Sequence, residues 1–338
     1  MKLCLVTDAW TPQMNGVVRT LTRTCDELRD MGHEIDVISP DLFNAFPCPT
    51  YPEIHLAVLP GRAVARRIRA SKPDAVHIAT EGPLGMAARR YCRKQKLPFT
   101  TAYHTRFPEY VAARLAVPVG WSYAWLRRFH RDACSIMVAT ESIESDLRNR
   151  GFDNIRRWSR GVDTELFRPR DEENGKALLD LPRPIHLYVG RVAVEKNIEA
   201  FLSLDLPGSQ VVIGDGPQLE TLRRRFPKAH FLGRKIGEDL ARHYAAADVF
   251  VFPSLTDTFG LVVLEALASG LPVAAFPVPG PRDILTDSDA GVLDADLAKA
   301  AERALQLSAA QCRAWAEKFS WRAATEQFLG NLAPIPAA

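Results

Sequence analysis

Residues 252–276, FPSLTDTFGLVVLEALASGLPVAAF, decide how this chain folds. An apolar strand ends near residue 252, a short polar loop follows, and Gly260 allows a tight turn into an apolar helix over 261–269. A second strand is predicted over 272–276. A strand, a helix and a further strand in succession form the repeating unit of a parallel sheet with helices on its faces. This stretch therefore predicts an α/β fold.

The same stretch predicts a ligand site, because two carboxylates flank the start of its helix. Asp257 lies in the loop, and Glu265 lies eight residues later, within the helix. The helix start between them, at Phe259, Gly260 and Leu261, presents unpaired N–H groups and the positive end of the helix dipole, which bind phosphate. Ionised carboxylates accept hydrogen bonds from sugar hydroxyls. A phosphate site between two such acids predicts a nucleotide-sugar ligand.

Strands and helices alternate along nearly the whole chain. Strands are predicted near 2–7, 34–39, 54–59, 75–79, 99–103, 135–140 and 155–159, and, after a polar linker at 161–180, near 185–190, 210–213, 229–232, 248–252, 272–276 and 291–293. Helices are predicted near 16–31, 62–70, 84–96, 119–133 and 142–150 in the first half and near 195–204, 217–226, 238–246, 261–269 and 295–307 in the second, and a final helical segment covers 310–331. The pattern predicts two doubly wound domains, whose ligands bind at the carboxyl ends of the strands.

Length and composition suit a globular protein of two domains. The chain has 338 residues, of which 47% are apolar and 25% are charged. The six cysteines are scattered without metal-ligand spacing, so we expect reduced thiols and no metal. Residues 1–10 read as a strand rather than a signal peptide, and no apolar run is as long as a membrane span. We therefore expect a cytoplasmic protein.

Basic residues are concentrated in the first half of the chain. Residues 1–167 contain 24 Lys and Arg against 18 Asp and Glu, whereas residues 168–338 contain 19 against 22. Within 61–131 there are 15 basic and only 3 acidic residues. Such a segment predicts a surface for an anionic partner. The chain has no RRM, KH or helix-turn-helix signature, so nucleic acid is not the expected partner.

A predicted helix at 119–133 interleaves aromatic and basic side chains. Trp and Tyr favour the water–lipid boundary, and Arg pairs with anionic head groups. The residues expected to contact an acceptor or a membrane are Arg106, Trp121, Tyr123, Trp125, Arg127, Arg128 and Arg131. Others that extend the patch are Arg66, Arg67, Arg69, Arg89, Arg90, Arg93, Lys94 and Lys96. The alternative interpretation is a core-packed helix with a solvated basic face.

Two cations follow the first strand of the second half. Arg191 comes directly after the strand predicted at 185–190, and Lys196 comes five residues later. Arg binds phosphate with two hydrogen bonds and Lys acts as a point charge, so together they suit a diphosphate that must leave. Two solvated surface charges are the alternative. Gly214 and Gly216 form a tight turn after the next strand, either as a plain turn or in contact with the ligand.

Two further candidates follow strands of the first half. Gly16 opens the first helix after the loop DAWTPQMN, where the backbone is able to approach a phosphate or a sugar. His104 lies at the end of the strand predicted at 99–103, where its ring is suited to donate to a sugar hydroxyl. For both residues a purely structural role is the alternative.

These segments, taken in order, resemble the retaining GT-B glycosyltransferases of family 4. The resemblance runs through TDAWTPQMNGVVRT, TAYHTRFPEY, SRGVDTELF, VGRVAVEKN, IGDGP and PSLTDTFGLVVLEALASGLPV and covers nearly the whole chain. It implies an α/β fold with two Rossmann-like doubly wound domains facing across a cleft. Residues 1–167, joined by a C-terminal helix within 313–338, would bind the acceptor, and residues 168–312 would bind the nucleotide-sugar donor.

The resemblance also implies roles for individual residues. Arg191 and Lys196 would hold the diphosphate, Glu265 would bind the ribose, Gly16 would approach the donor phosphates and His104 would contact the sugar. Asp257 stands where the family usually has Glu, so its reach is one methylene shorter. The implied reaction is front-face attack by the acceptor hydroxyl, assisted by the leaving phosphate, without a metal or other cofactor. The donor that the resemblance implies is a UDP- or GDP-sugar.

Within the family, YHTRFPEY and SRGVDTELF most resemble enzymes that glycosylate diacylglycerol or related lipids. This implies a lipid acceptor and a peripheral enzyme at the inner face of the cytoplasmic membrane, in agreement with the basic aromatic helix. Three alternatives remain open at this point. The acceptor is soluble or a polysaccharide; the enzyme is a nucleotide-sugar epimerase on the same fold; or the chain is a non-catalytic binding module.

Overall fold

A computed structural model describes residues 1–13, 15–48, 51–106, 108–109, 118–170 and 178–336. The chain divides into two compact units. Unit 1 comprises Met1–Ser159 and Trp321–Ala338, and unit 2 comprises Arg160–Ser320. The chain therefore leaves unit 1 once and returns to it for its last helix.

Unit 1 is built on a six-stranded parallel sheet with the order β2-β1-β5-β6-β7-β8. Its strands are β1 (Lys2–Val6), β2 (Glu34–Ile38), β5 (Ala75–Ile78), β6 (Thr100–Tyr103), β7 (Ser135–Val138) and β8 (Ile155–Arg157). An antiparallel hairpin, β3 (Ala45–Cys48) and β4 (Tyr51–Ala57), stands beside this sheet. The order reverses between β1 and β5, which is the point where such sheets bind ligands.

Helices cover both faces of the unit 1 sheet. They are α1 (Gly16–Asp30), α2 (Gly61–Ser71), α3 (Pro83–Gln95), α4 (Val119–His130), α5 (Glu141–Asn149) and, from the chain end, α13 (Trp321–Asn331). Leu3 and Leu5 of β1 pack with α1 and α13, whereas Cys4 and Val6 pack with α2, α3 and Phe129 of α4. Since successive strand residues point to opposite faces, α2, α3 and α4 share one face of the sheet.

Unit 2 contains a second six-stranded parallel sheet, with the order β11-β10-β9-β12-β13-β14. Its strands are β9 (Ile185–Val189), β10 (Ser209–Ile213), β11 (His230–Phe231), β12 (Val249–Phe252), β13 (Val273–Ala275) and β14 (Gly291–Leu293). Strands β10 and β11 lie on one side of β9, and β12, β13 and β14 lie on the other, so the strand order reverses between β9 and β12. The register there pairs Val249 with His186 and Phe250 with Leu187.

The helices of unit 2 are α6 (Ile198–Leu202), α7 (Leu219–Arg225), α8 (Gly237–Ala246), α9 (Leu261–Ala268), α10 (Pro281–Leu285), α11 (Leu297–Ala304) and α12 (Ala309–Ala316). Helix α9 is buried along six consecutive residues, Val263 to Ala268. A helix that is apolar on all sides must be enclosed by protein, which explains why Glu265 is the only polar residue of α9.

The structure confirms the α/β class and the parallel strands, and it corrects several details. The segment predicted as a strand at 54–59 belongs to the separate hairpin rather than to the main sheet. The short helix α10 was not predicted, and the segment at 310–331 is two helices, α12 and α13, rather than one.

The unit boundaries fall at 159/160 and 320/321, whereas the sequence placed them at 167/168 and 312/313. Arg313 of α12 explains the difference, because its guanidinium donates to the carbonyl oxygens of Thr164 and Phe167 and to that of Ala268. These bonds tie the segment after residue 160 to unit 2.

Candidate functional site

The helix predicted to bind phosphate begins as the sequence indicated. Gly260 is the N-cap of α9 and has φ 95°, a left-handed conformation that favours glycine. As glycine it brings no side chain to close the first turn, so the positive end of the helix is not covered by its own cap. Phe259 is buried and Leu261 is half-buried at this helix start.

Lys196 and Asp257 meet at the carboxyl edge of the unit 2 sheet. Lys196 ends a 3₁₀ turn after β9, Asp257 lies in the loop after β12, and their Nζ and Oδ1 atoms are 2.5 Å apart. Both side chains are largely buried, with 21% and 16% of their surface exposed. The second carboxylate oxygen, Oδ2, is also buried and has no hydrogen-bond partner within the described part of the chain. A buried acceptor of this kind suits a ligand hydroxyl.

Two loops hold this ion pair together. The carboxamide of Asn197 donates to the carbonyl oxygen of Pro253 at 3.1 Å, and the hydroxyl of Thr256 donates to that of Glu195 at 3.3 Å. These bonds join the segment that carries Lys196 to the segment that carries Asp257. These two hydrogen bonds fix the backbone of both loops, so that the ammonium of Lys196 and the carboxylate of Asp257 are held in contact.

Glu265 lies one helical turn beyond the start of α9 and is 3% exposed. The hydroxyl of Tyr244, on α8, donates to its Oε2 atom at 3.0 Å. Tyr244 is itself buried and packs edge-on against Phe167 and at a tilt against Phe250, with ring centroids 5.7 and 5.8 Å away. A carboxylate held by so fixed a donor keeps one orientation.

The loops after β9 and β10 pack against each other without room for side chains. A Cβ on Gly214 would lie 1.8 Å from the carbonyl oxygen of Gly190, and one on Gly216 would lie 2.4 Å from that of Val192. The amide of Val192 donates to the carbonyl oxygen of Asp215 at 2.8 Å. Gly214 and Gly216 thus have a packing reason for being glycine, and they support the loop that carries Arg191.

In unit 1, Gly16 is exposed at the first residue of α1. The preceding Asn15 caps this helix, since its Oδ1 atom accepts from the amides of Val17 and Val18 at 3.0 Å each. The second helix at the same switch point, α3, is closed by Asp8. Its carboxylate accepts from the amides of Leu84 at 2.9 Å and Gly85 at 3.3 Å.

His104 follows β6, at the carboxyl edge of the unit 1 sheet. Its ring packs edge-on against the buried Trp158, with centroids 5.5 Å apart. His104 and Gly16 belong to unit 1, whereas Arg191, Lys196, Asp257 and Glu265 belong to unit 2. The structure brings the unit 2 residues to one sheet edge and places the unit 1 residues at the corresponding edge of their own sheet.

The exposed side chains of α2, α3 and α4 form a basic surface on one face of unit 1. Trp121 of α4 is 74% exposed and Trp125 is 40% exposed. Their exposed basic neighbours are Arg62, Arg66, Arg69, Arg90, Arg93, Lys94, Lys96, Arg127, Arg128 and Arg131. Exposed Trp side chains among so many cations form the combination expected of a surface that meets an anionic interface.

Three residues assigned to this surface from the sequence do not belong to it. Tyr123 is 1% exposed, and its hydroxyl donates to Glu109 Oε1 at 2.7 Å. Burial also raises the pKa of Tyr123 to about 12, so the phenol stays neutral. Arg106 is largely buried and lies 3.6 Å from the carboxylate of Asp146.

Arg89 is the third of these residues. Its guanidinium is buried under the end of α4 and donates to the carbonyl oxygens of Phe129 at 2.7 Å and Arg128 at 2.6 Å. It therefore closes the C-terminus of that helix, where carbonyl groups lack helical partners.

Two residues that shape the site in unit 2 were not predicted from the sequence. Tyr244 orients Glu265, and nothing in its own helix marks it for that role. Gly280 packs against the loop of Asp257, because a Cβ there would lie 2.8 Å from the carbonyl oxygen of Phe259. The sequence Pro279-Gly280-Pro281 was the available signal, since a glycine between two prolines marks a constrained turn.

Across the described residues, no three or more His, Cys, Asp or Glu side chains are grouped in a way that could hold a metal ion. Nor does any helix in those parts of the chain combine the length and the apolar character needed to cross a membrane.

Comparison with known proteins identifies the family. Residues 14–166 match the model for Glycosyltransferase Family 4, and residues 183–310 match that for glycosyl transferases group 1. The chain is 32% identical over 316 residues to a GDP-mannose-dependent alpha-mannosyltransferase of Mycobacterium tuberculosis, covering 87% of this chain and 83% of that protein. It is 33% identical over 297 residues to a sulfoquinovosyl transferase of Arabidopsis thaliana, covering 78% of this chain and 57% of that protein.

A third relative is the alpha-monoglucosyldiacylglycerol synthase of Streptococcus pneumoniae, which is 27% identical over 345 residues, with 90% of this chain and 78% of that protein covered. Among solved structures, sucrose-phosphate synthase from Thermosynechococcus elongatus matches with a TM-score of 0.78 at 21% identity, over 97% of both chains. At that identity the match supports the fold alone. The chain therefore belongs to glycosyltransferase family 4: it is a hexosyltransferase of the GT-B fold, built from two Rossmann-like domains.

Proposed function

We propose that this protein transfers a hexose from a UDP- or GDP-sugar to a lipid acceptor at the inner face of the cytoplasmic membrane, with retention of the anomeric configuration. The observation that carries the donor half is the meeting of Lys196, Asp257 and the start of α9 at the point where the unit 2 sheet reverses its strand order. The cation and the helix start then bind the phosphate of a ligand, and the carboxylate binds the sugar of the same ligand.

Each residue of the donor half has a part in this proposal. The diphosphate lies at the start of α9, where Lys196 and Arg191 neutralise its charge. Glu265, oriented by Tyr244, accepts hydrogen bonds from the ribose hydroxyls. Asp257 accepts from a hydroxyl of the transferred sugar through Oδ2, the oxygen that does not face Lys196.

In the proposed reaction, the acceptor hydroxyl attacks the anomeric carbon on the face from which the diphosphate leaves. The bond from that carbon to the phosphate oxygen breaks as the bond to the acceptor oxygen forms, and the released phosphate oxygen takes the acceptor proton. Lys196 and Arg191 stabilise the negative charge that develops on the leaving diphosphate. Both old and new bonds lie on one face of the sugar, so the configuration is retained.

The basic surface supports the lipid half of the proposal. Helices α2, α3 and α4 share one sheet face, so their Arg and Lys side chains are able to meet a flat anionic layer together. The exposed Trp121 supplies the interfacial anchor. Among the relatives, a monoglucosyldiacylglycerol synthase is named for a lipid product.

Thermal-shift screening tests the donor half. UDP- and GDP-sugars are added to the purified protein, and the matching donor at 100 times its dissociation constant stabilises the protein by roughly 2.7 kcal/mol. NMR of the transfer product then reports whether the anomeric configuration is retained. A folded protein that no sugar nucleotide stabilises would contradict the donor assignment.

Vesicle flotation tests the lipid half. Arg128→Ala removes one charge from the basic surface, and Arg322→Ala removes one from α13, on the opposite face of the sheet. A basic residue near an anionic membrane contributes about 1 kcal/mol, so Arg128→Ala should weaken binding to anionic vesicles about fivefold, and Arg322→Ala should not. Trp121→Ala should weaken binding further. Absence of vesicle binding even at low salt would favour a soluble acceptor instead.

A further inference from the structure

A cavity of about 290 Å³ lies within unit 1, beside the loops that follow β1 and β2. The hairpin β3–β4 forms its third wall through Ala45 and His55. The remaining lining residues are Trp10, Thr11, Pro12, Gln13, Pro40, Asp41 and Phe43. Its volume is at the lower end of the roughly 300–1,000 Å³ typical of ligand pockets, which suits a single ring.

The aromatic walls of the cavity are fixed by the hydrophobic core. Trp10 packs on the apolar cluster beneath α1 and α13, and Phe43 packs on the cluster of the opposite sheet face. The guanidinium of Arg67 lies over the Phe43 ring, 5.7 Å from its centroid. His55 sits on the hairpin opposite Pro47, within the strand pairing. Three rings are thus held around one space, as in a pocket that stacks a flat or chair-shaped ligand.

The polar groups of the cavity are a carboxylate, a carboxamide, a hydroxyl and an imidazole, from Asp41, Gln13, Thr11 and His55. Ser39 donates to Asp41 Oδ1 at 2.5 Å, so the carboxylate is oriented and retains lone pairs for further donors. Gln13 is 4% exposed, and its side-chain amide donates to the carbonyl oxygen of Asp8 at 3.0 Å. Among the lining residues, Asp41 carries a negative charge, which repels phosphate and attracts hydroxyl groups.

We infer that this cavity binds a neutral polyhydroxylated ring, a sugar or a cyclitol, that forms the head group of the acceptor. The inference rests on the proposed lipid transferase function and narrows it. The apolar face of such a ring stacks on Trp10, and its hydroxyls donate to Asp41 and contact His55. Diacylglycerol offers a single hydroxyl and no ring, so it leaves these groups without partners. The preferred acceptor is therefore a lipid that already carries one ring, rather than diacylglycerol.

Acceptor competition tests this inference. Diacylglycerol and monohexosyldiacylglycerol are presented in the same anionic vesicles with the donor found by screening, and kcat/KM is measured for each. We expect the monohexosyl lipid to be preferred at least tenfold, because hydrogen bonds to a charged group contribute roughly a tenfold or greater preference each. Trp10→Ala and Asp41→Asn should reduce this preference about tenfold. Asp41 is exposed, so Asp41→Asn keeps the test valid if Trp10→Ala fails to fold.

Phe46→Ala is the matched control. Phe46 pairs with Leu56 in the same hairpin, one residue from Ala45, and therefore points to the face turned away from the cavity. Its substitution should leave the acceptor ratio unchanged. Donor-induced thermal stabilisation should be the same in all three variants, because the cavity lies in unit 1.

The outcomes are distinguishable. Equal use of both lipids by the unaltered protein, or an unchanged ratio in both Trp10→Ala and Asp41→Asn, overturns the cavity assignment and leaves the transferase function intact. Donor binding without transfer to either lipid overturns the lipid acceptor itself, and the cavity assignment with it.

Discussion

The two sheets have the same kind of switch point, yet their helices begin differently. In unit 1, the helices after β1 and β5 are closed by side chains, since Asn15 caps α1 and Asp8 caps α3. In unit 2, the helix after β12 begins at Gly260, which has no side chain to offer. The helix after β9 begins at Asn197, whose carboxamide donates to Pro253 instead of capping the helix.

This difference distinguishes helix starts that side chains close from one that is open to a ligand. A helix start that already has a carboxylate or a carboxamide on its first amides has less to gain from an anion. The start of α9 has a neighbouring cation, Lys196, in place of a cap. Electrostatics therefore favour unit 2 as the unit that binds the diphosphate.

Lys196→Ala should have the largest effect on activity. Removing one charged group that stabilises a leaving diphosphate lowers kcat/KM by roughly 10²–10³, and steady-state kinetics with the matching donor measures it. Lys299→Ala, which removes an exposed lysine of α11, is the control and should retain full activity. Full activity in Lys196→Ala would break the comparison, because the diphosphate would then need no cation beside the start of α9.

Glu265→Gln should weaken nucleotide binding by roughly one to two orders of magnitude, because hydrogen bonds to a charged acceptor contribute about 1.5–3 kcal/mol. Tyr244→Phe keeps the carboxylate but removes the donor that orients it, so the loss should be smaller, about fivefold. Isothermal titration with the nucleoside diphosphate gives both values. A larger loss in Tyr244→Phe than in Glu265→Gln would contradict the assigned roles.

Substitution of the caps in unit 1 should affect stability and leave the donor site intact. Asn15→Ala should cost about 1 kcal/mol. Asp8→Ala should cost about 2–3 kcal/mol, because buried amides of α3 lose their acceptor. Urea denaturation measures these changes, and titration with nucleotide should give unchanged affinity. Weaker nucleotide binding in either variant would place part of the anion site in unit 1.

Thiol labelling sharpens the comparison, because buried cysteines report on each unit separately. Burial raises the pKa of Cys92, on α3, and of Cys312, on α12, to about 12 in each case, so neither forms the reactive thiolate at pH 8. The exposed Cys134 should react first. In Asp8→Ala, we expect Cys92 to label about tenfold faster while Cys312 keeps its slow rate, as read by mass spectrometry of the peptides. Equal acceleration of both thiols would show that the two units open together.

Much of the fold follows from the sequence, because buried parallel strands read as short apolar runs between helices. Every strand of the two six-stranded sheets is predicted close to its position in the structure. The strand β3 was missed because its four residues, AFPC, include a proline and form no longer apolar run. Helix α10 is five residues long, too short for a periodic signal.

The candidate site was predictable only where a residue and the structural feature that explains its role lie in one segment. Gly260 and Asp257, for example, lie directly before the start of α9. Tyr123 was placed on the wrong face because helical spacing tells which residues share a face, and not which face the core covers. Asp8 closes a helix that starts more than seventy residues later, so nothing near it in the sequence marks that role.

Helix α13 completes the core of unit 1, although it is the last helix of the chain. Phe328 packs between His77 and Trp158, and Pro334 forms a bridge with Ala75 at the start of β5. Unit 2 is continuous in sequence and has all its strands before residue 294. During synthesis, the residues of unit 2 are therefore all added before α13, whereas unit 1 lacks part of its core until α13 follows. Unit 1 is therefore the later of the two units to complete its core.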